Sequence, residues 1–296
     1  ARNETLTFTY DVTIYDGHNG STTQPVTIVV IGTNDVPLIN DHGKTEYSIP
    51  DGTSSAATLT RGSTITYSDL DITDTHTITP SLTSVALTHG NANNSHNLNS
   101  HQIDRIIQRY LGFNDVSDFV IQTMKIDNTT TEGKVHWTFT IDPTQSDLSF
   151  LGSKNSLILI YQIEINDQHG GIVNQPITIT LDGGTQNSSP TQGHLKAEDV
   201  VHLDNLYGPG DYDIRDTHKN INAHKDEINH SNNAGKLHID FENGDHLNSE
   251  DYKGYTKHFG AENVELNTHG NDIEGTGTWD AATADAAHGK GVGSFA

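Results

Sequence analysis

The sequence contains no cysteine and few basic residues, and each shortage excludes a class of protein. Without cysteine there are no disulfides, no thiolate metal sites and no cysteine nucleophile. The 16 basic residues face 39 acidic ones, and the resulting formal charge of −23 would repel nucleic acid and anionic lipid. Apolar runs such as 26–32 are far shorter than the roughly 20 residues of a membrane-spanning helix. We therefore expect neither nucleic-acid binding nor direct membrane insertion.

The residues that are abundant favour strands and turns. Only 32% of the residues are hydrophobic, and glycine, threonine, asparagine, aspartate and serine are frequent. This composition is typical of many short strands joined by polar turns, so an all-β fold is expected. The 296 residues are enough for two domains of ordinary size. An excess of carboxylates must be solvated or neutralised, and calcium prefers oxygen ligands of this kind.

An internal repeat organises the chain. Residues 4–32 match residues 155–183 without a gap, at a constant offset of 151. Each copy reads as an alternating strand, an Asp-x-His-x-Gly turn and a second alternating strand, which predicts a β-hairpin whose glycine has a positive φ. The identical pairs include Leu6/Leu157, Tyr10/Tyr161, Ile14/Ile165, Asp16/Asp167, His18/His169, Gly20/Gly171, Gln24/Gln175 and Pro25/Pro176.

The first copy and the string Gly32-Thr33-Asn34-Asp35-Val36-Pro37 after it carry a family resemblance. They resemble the closing strands and linker of the VCBS and cadherin-like repeats of giant, type I secreted bacterial adhesins. The resemblance covers residues 1–37 and 155–190 best. It implies tandem Ig-like or cadherin-like β-sandwich modules outside the cell, at the bacterial surface, with calcium (Ca²⁺) at the module junctions.

Three segments follow from the repeat. Residues 1–36 would be the closing hairpin of one module, 38–187 a complete β-sandwich, and 190–296 an acidic, histidine-rich segment. A lone hairpin cannot offset an ordering cost of roughly 1–2 kcal/mol per residue. One hypothesis is that 190–296 is the remainder of a second sandwich, completed by 1–36 within a chain or by strand donation between chains. The alternative is a piece cut from a longer tandem array.

One short helix is expected inside the complete sandwich. Ser100 would cap its start and Gly112 its end. The apolar residues between them share one helical face. They are Ile103, Ile106, Ile107, Tyr110 and Leu111.

Spaced aspartates are the candidate metal ligands. In Asp69-x-Asp71-x-x-Asp74, carboxylates can surround a six- to eight-coordinate ion, and the cluster resembles the D-x-D calcium element of cadherin-like repeats. Each aspartate could instead be a turn former that bonds its own backbone. The resemblance implies further ligands in the linker and in the hairpin turns, and one stretch repeats the D-x-D-x-x-D spacing. These further candidates are Asn34, Asp35, Asp16, Asp167, Asp211, Asp213 and Asp216.

Histidine is concentrated near the end of the chain. Residues 190–296 hold ten of the 18 histidines. His218, His224 and His230 are spaced by six, which matches neither a helical face nor a tight zinc motif. We therefore expect these side chains to be scattered and solvated.

No catalytic motif is present, so the protein is expected not to be an enzyme. The leading hypothesis is a structural module of an extracellular repeat protein, an adhesin or surface filament, rigidified by calcium. One alternative is a self-assembling filament or surface-layer subunit joined by strand donation. Another is an adhesin tip that binds carbohydrate or protein, although only two tryptophans are available for a sugar platform. The expected partners are neighbouring modules or copies of the chain, and a cell-surface glycan or protein for the tip.

Overall fold

Strands make up most of the regular structure. The computed structural model describes residues 2–50, 58–89, 91–127, 133–142, 146–152, 154–183, 193–241, 247 and 249–267. The strands are β1 (Thr5–Tyr15), β2 (Ser21–Ile31), β3 (Leu38–Asp41), β4 (Glu46–Pro50), β5 (Leu59–Ser68), β6 (Thr77–His89), β7 (Asn91–Asn97), β8 (Met124–Asp127), β9 (Lys134–Ile141), β10 (Asn155–Asn166), β11 (Ile172–Asp182), β12 (Gly193–Leu195), β13 (Tyr212–Thr217), β14 (Ala234–Asp240) and β15 (Val264–Asn267). The α-helices are α1 (Ser100–Arg109), α2 (Val116–Thr123), α3 (Val200–Leu203), α4 (His218–Ala223), α5 (Lys225–Ile228) and α6 (Ser249–Phe259).

Strands β3 to β11 form a β-sandwich. One sheet has the order β4-β11-β10-β6-β7 and the other β3-β5-β9-β8. Along β9 and β10 every second residue is buried, as expected for strands with one face against a core. Phe139 of β9 and Tyr161 of β10 join the two sheets, with ring centroids 5.9 Å apart. The predicted β-sandwich class is therefore confirmed.

Two helices, α1 and α2, lie between β7 and β8, where the sequence analysis expected one. Helix α1 begins one residue earlier than predicted, because Asn99 rather than Ser100 caps it. The Asn99 side chain accepts the backbone N–H of Gln102, and the Gln102 side chain accepts that of Asn99. The predicted apolar face is confirmed, with Ile106 and Ile107 both 1% exposed. None of the helices in the described ranges has the length and apolar character needed to cross a membrane.

The hairpin β1–β2 has the same strand register as β10–β11. Leu6 pairs with Val30 as Leu157 pairs with Leu181, and this correspondence holds along both hairpins. Their surroundings differ completely. β10–β11 is buried between β6 and β4, whereas among the described residues β1 and β2 pair only with each other, and all their residues are exposed. The same apolar pattern therefore forms a core in one copy and a surface in the other.

Residues 193–267 do not have the sandwich architecture proposed for 190–296. Strands β12, β13, β14 and β15 form a parallel sheet in that order, and helices α3 to α6 connect them. Parallel neighbours require crossover connections, so this unit cannot supply the antiparallel strands that the hairpin lacks. Short strand patterns in the sequence do not specify strand direction, which is why the prediction failed here. Residues 268–296 lie outside the described part.

The buried carboxylate of Asp199 joins the parallel unit to the sandwich. It accepts hydrogen bonds from Arg105 at 2.5 Å and from the hydroxyl of Tyr110 at 2.9 Å, and it is 0% exposed. The Tyr207 hydroxyl donates to the carbonyl of Phe150 at 3.0 Å. Both α1 and the segment before β10 are thereby held against the parallel unit.

Leu157 and Leu6 are the same residue at equivalent repeat positions, and they provide a matched test of this fold. Leu157 is 0% exposed and Leu6 is 58% exposed. We expect Leu157→Ala to lower the free energy of unfolding by about 2–5 kcal/mol, because it leaves a core cavity. Leu6→Ala should change it by less than about 0.5 kcal/mol. Chemical denaturation at low protein concentration measures both, and equal losses would contradict the exposed position of the hairpin.

Candidate metal centre

The turn of the β10–β11 hairpin is built around the carboxylate of Asp167. Its Oδ1 accepts the backbone N–H of His169 at 2.7 Å and of Gly171 at 2.9 Å. A Cβ on Gly171 would lie 2.1 Å from the Asp167 Oδ2, so this glycine is required for space. The positive φ expected of it belongs instead to the preceding residues, Gln168 and Gly170.

The loop between β5 and β6 turns its aspartates inward. Asp71 and Asp74 are 2% and 9% exposed, whereas Leu70 and Ile72, on either side of Asp71, are 80% and 83% exposed. The backbone N–H of Asp71 donates to the Asp69 Oδ1 at 2.9 Å. Apolar burial cannot explain this arrangement, because the loop exposes its large apolar side chains and buries its charges.

The linker between the first hairpin and the sandwich passes over both features. The Asn34 amide donates to the Asp167 Oδ2 at 2.8 Å, and the backbone N–H of Asp35 donates to the Asp71 Oδ2 at 2.7 Å. The Asp35 side chain is exposed, so Asp35 contacts the loop through its backbone. The Asn34 Oδ1 is buried and has no hydrogen-bond partner within the described structure.

Three carboxylates meet where these segments converge. Asp69, Asp74 and Asp167 each offer an oxygen, and these oxygens lie within 4.8 Å of one another. His76 approaches Asp69 and His169 approaches Asp74, each with a ring nitrogen 2.9 Å from a carboxylate oxygen. A cavity of about 260 Å³ opens beside this cluster, next to Asp69 and Asp71.

The surroundings of Asp167 favour its ionised form. Burial alone would raise its pKa, but hydrogen bonds from the Asn34 side chain and from the backbone N–H groups of His169 and Gly171, with the charge of His169, lower the pKa below its ordinary value of 3.8. A cation is one group that could balance a buried anion among other carboxylates.

The donor set fits calcium. Oxygens around a calcium ion lie 2.3–2.6 Å from it and hence roughly 3–5 Å from each other, which matches the spacing of the three carboxylates. The orphaned Asn34 Oδ1 is a further oxygen of the type that calcium accepts. Asp69, Asp74, Asp167 and Asn34 would hold the ion directly, and Asp71 would hold the linker through its bond to Asp35.

Asp16 has the same local geometry as Asp167 without the surrounding cluster. Its Oδ1 accepts the backbone N–H of His18 at 2.7 Å and of Gly20 at 2.9 Å, and these bonds lower its pKa. The turn lies at the far end of two 11-residue strands, roughly 35 Å from the linker. Asp16 is therefore too distant to join the cluster of its own sandwich.

The other predicted aspartates lie in the parallel unit and have separate partners. Asp211 lies 3.5 Å from the Lys154 Nζ, and Asp216 accepts the backbone N–H of Ala197 at 3.1 Å. Asp213 groups with two histidines, His194 and His238. The D-x-D-x-x-D spacing repeats that of the 69–74 loop, but here it lies along strand β13. Equal spacing in a loop and in a strand does not produce equal sites.

Sequence reasoning missed the histidines of both groups. The repeated Asp-x-His turn could have identified His169 as a neighbour of the site. The short separation of His76 from Asp69 and Asp74 could have identified His76. The expectation of scattered, solvated histidines also fails for His218, which is 7% exposed. No sequence spacing predicts the group of His194, Asp213 and His238, because its members come from three different strands.

No known protein-family model matches this chain, and no curated protein matches it. Among solved structures, it is similar to the major subunit of aggregative adherence fimbriae type I from Escherichia coli, at 14% identity over 51% of this chain and 97% of that one, with a TM-score of 0.27. It is also similar to the CooA pilin subunit of enterotoxigenic Escherichia coli (8% identity, 47% and 90% coverage, TM-score 0.25). A PapD-like domain of human CEP192 gives 7% identity, 52% and 89% coverage, and a TM-score of 0.28. Values this low describe a loose resemblance, so the roles of those proteins do not extend to this chain.

The lowered pKa of Asp167 predicts a pH dependence of stability. Because the folded pKa lies below 3.8, the ionised carboxylate stabilises the protein above about pH 4, and this contribution is lost as the pH falls through the folded pKa. In EDTA, Asp167→Asn should lower the Tm at neutral pH, and its difference from wild type should shrink below about pH 4. Asp16→Asn should have a smaller effect, because its turn is exposed and β1–β2 packs against no other strand of the described chain. A difference that grows on acidification would contradict this assignment.

Proposed function

We propose that this protein is a structural module of an extracellular bacterial repeat protein, an adhesin or surface filament, in which calcium fixes the junction between a hairpin and the next sandwich. The observation that supports it is the convergence of linker, loop and turn on one group of buried carboxylates, Asp69, Asp74 and Asp167. Six of the ten residues predicted as ligands, Asn34, Asp35, Asp69, Asp71, Asp74 and Asp167, belong to these three segments.

Electrostatics gives the ion a structural role. Two like charges about 5 Å apart repel by on the order of 3 kcal/mol at an effective dielectric constant of about 20. Without a cation this repulsion acts between the loop, which carries Asp69 and Asp74, and the turn, which carries Asp167. A calcium ion adds an attraction to each carboxylate that outweighs their mutual repulsion. It would thereby fix the direction of the linker with respect to the sandwich. Extracellular modules bind calcium with dissociation constants of about 10⁻⁴–10⁻³ M, which suits a site that is filled outside the cell.

Calcium should stabilise the wild-type protein measurably. At 10 mM calcium a dissociation constant in that range adds about 1.4–2.7 kcal/mol to the free energy of unfolding. Asp69→Asn should lose this gain, yet in EDTA it should be at least as stable as wild type because it removes repulsion. Thermal and denaturant melting with calcium or EDTA measures both effects.

Asp104→Asn is the matched control, since it removes an exposed carboxylate from α1 without touching the site. It should keep the full calcium response. If EDTA and calcium give the same melting curve for the wild-type protein, the calcium proposal is wrong.

A second candidate function is self-assembly, and the exposed hairpin favours it. Eight apolar positions on one face of β10–β11 are 0% exposed, whereas their eight equivalents in β1–β2 are 39–62% exposed. Burying the remaining half of the surface of eight such side chains would stabilise an assembly by on the order of 6–12 kcal/mol before ordering costs. The occupant that fits is a sandwich with a gap at the position of β10–β11. A neighbouring module could offer this gap directly, and a second copy of the chain would offer it by releasing its own β10–β11 in a strand exchange. The eight equivalents are Leu6, Phe8, Tyr10, Val12, Ile14, Val26, Ile28 and Val30.

The turn at Asp16 gives this candidate a second feature. Its hydrogen bonds to His18 and Gly20 match those of Asp167 in kind and length. A sandwich that received the hairpin would bring its own acidic loop and linker to Asp16, as Asp69, Asp74 and Asn34 surround Asp167. The same junction would then form at every step of an array.

Charged substitution in the hairpin tests the assembly. Val12→Asp should keep the sandwich folded and abolish concentration-dependent association, because Val12 corresponds to the buried Ile163. Ile121→Asp, at a 65% exposed position on α2, is the control and should associate like wild type. Light scattering and electron microscopy over a concentration series in calcium measure this. A wild-type chain that stays monomeric at the highest concentration would contradict self-assembly and leave the spacer role.

A further inference from the structure

The parallel sheet carries a second group of ionisable side chains, which the calcium proposal does not use. His194 of β12 pairs in register with Asp213 of β13, and His238 of β14 pairs with Glu265 of β15. Residues in register on neighbouring strands point to the same face of a sheet. One ring nitrogen of each histidine and a carboxylate oxygen of Asp213 all lie within 4.8 Å of one another.

Glu265 fixes the orientation of the His238 ring. The His238 Nδ1 lies 3.0 Å from the Glu265 Oε2, and the Lys236 ammonium holds the other oxygen of Glu265 at 2.7 Å. A carboxylate only accepts hydrogen bonds, so a neutral His238 ring would carry its proton on Nδ1. The Nε2 lone pair then faces the Asp213 Oδ2 at 3.3 Å. Two acceptors that face each other require a proton or a cation between them.

The rest of the group is arranged around the same point. The rings of His194 and His238 meet edge to face, with centroids 5.6 Å apart. Asp213 is 5% exposed, and its other oxygen accepts the backbone N–H of Lys236 at 2.9 Å, which directs Oδ2 toward the histidines. The His238 side chain is 13% exposed.

We propose that His194, Asp213 and His238 bind a divalent transition-metal ion of the zinc class, with Glu265 as the positioning residue behind His238. Imidazole selects zinc, copper, cobalt or nickel over calcium. Tetrahedral zinc, with bonds of about 2.0–2.2 Å, separates its ligand atoms by about 3.3–3.6 Å. The ligand atoms here lie within 4.8 Å of one another, so side-chain movements of up to about 1.5 Å would close the group. A carboxylate that holds the second nitrogen of a ligating histidine is the usual outer partner of such a site. The fourth position is left for water.

The test uses the full chain. EDTA first removes bound metal, and every sample then contains the same millimolar calcium concentration, so that the state of the 69–74 cluster is the same in all of them. Calorimetric titration with Zn²⁺ should show one strong site. His194→Ala, His238→Ala and Asp213→Asn should each weaken it at least 100-fold. Glu265→Gln should weaken it about 10-fold, since it acts through His238. His224→Ala and Asp69→Asn, both outside the group, should leave it unchanged.

Cobalt binding can be measured on the wild-type protein alone, so the result does not depend on whether a variant folds. Co²⁺ bound to the wild-type chain should give the intense visible absorption of a four-coordinate ion, and Zn²⁺ should displace it. Absence of that spectrum, or Zn²⁺ affinity that is equal in wild type and the His238→Ala variant, would overturn the proposal and leave His238 as an ion-paired imidazolium. Loss of Zn²⁺ binding in Asp69→Asn would assign the metal to the other cluster and overturn it as well.

Discussion

Repulsion between buried carboxylates is the constraint on which the junction depends. Asp167 is 0% exposed, and Asp69 and Asp74 share the same small volume with it. Hydrogen bonds within the turn stabilise one of these charges, but they do not remove the repulsion among the three. A cation bound at this point would hold the loop, the turn and the linker together. Without it, the repulsion between the carboxylates favours their separation. In the proposed calcium-bound form, the ion rather than a packed core would fix the direction in which β1–β2 leaves the sandwich.

Comparison of the two repeat copies explains why β1–β2 has an exposed apolar face. A hairpin in water is marginally stable, yet β1–β2 has the register and the apolar face of β10–β11, which lies in the centre of a sheet. The sequence of β1–β2 is thus adapted to burial that its own described chain does not provide. A spacer in a tandem array and a subunit that exchanges strands both supply that burial, and they differ only in whether the receiving sandwich is covalently linked.

The predictability of the structure from sequence varied with the kind of signal. Alternating apolar residues and the 151-residue offset were enough to locate both hairpins and the sandwich, because strand periodicity and a repeated turn are local. Asp167 was a candidate ligand only because of the family resemblance. No local sequence rule predicts that it meets Asp69 and Asp74, which lie about 100 residues away in the sequence. The parallel unit was missed because β12 and β15 are only three and four residues long, too short to reveal direction. The histidine group was missed for the same reason: His194, Asp213 and His238 become neighbours only through the strand order.

A crystal structure of the chain grown in millimolar calcium tests the central claim most directly. It should contain one ion at the base of the hairpin, 2.3–2.6 Å from oxygens of Asp69, Asp74, Asp167 and Asn34. The linker should then follow the path described here, with the Asp35 backbone on Asp71. Carboxylates that are paired only with His76 and His169, with water or nothing between them at saturating calcium, would contradict the account.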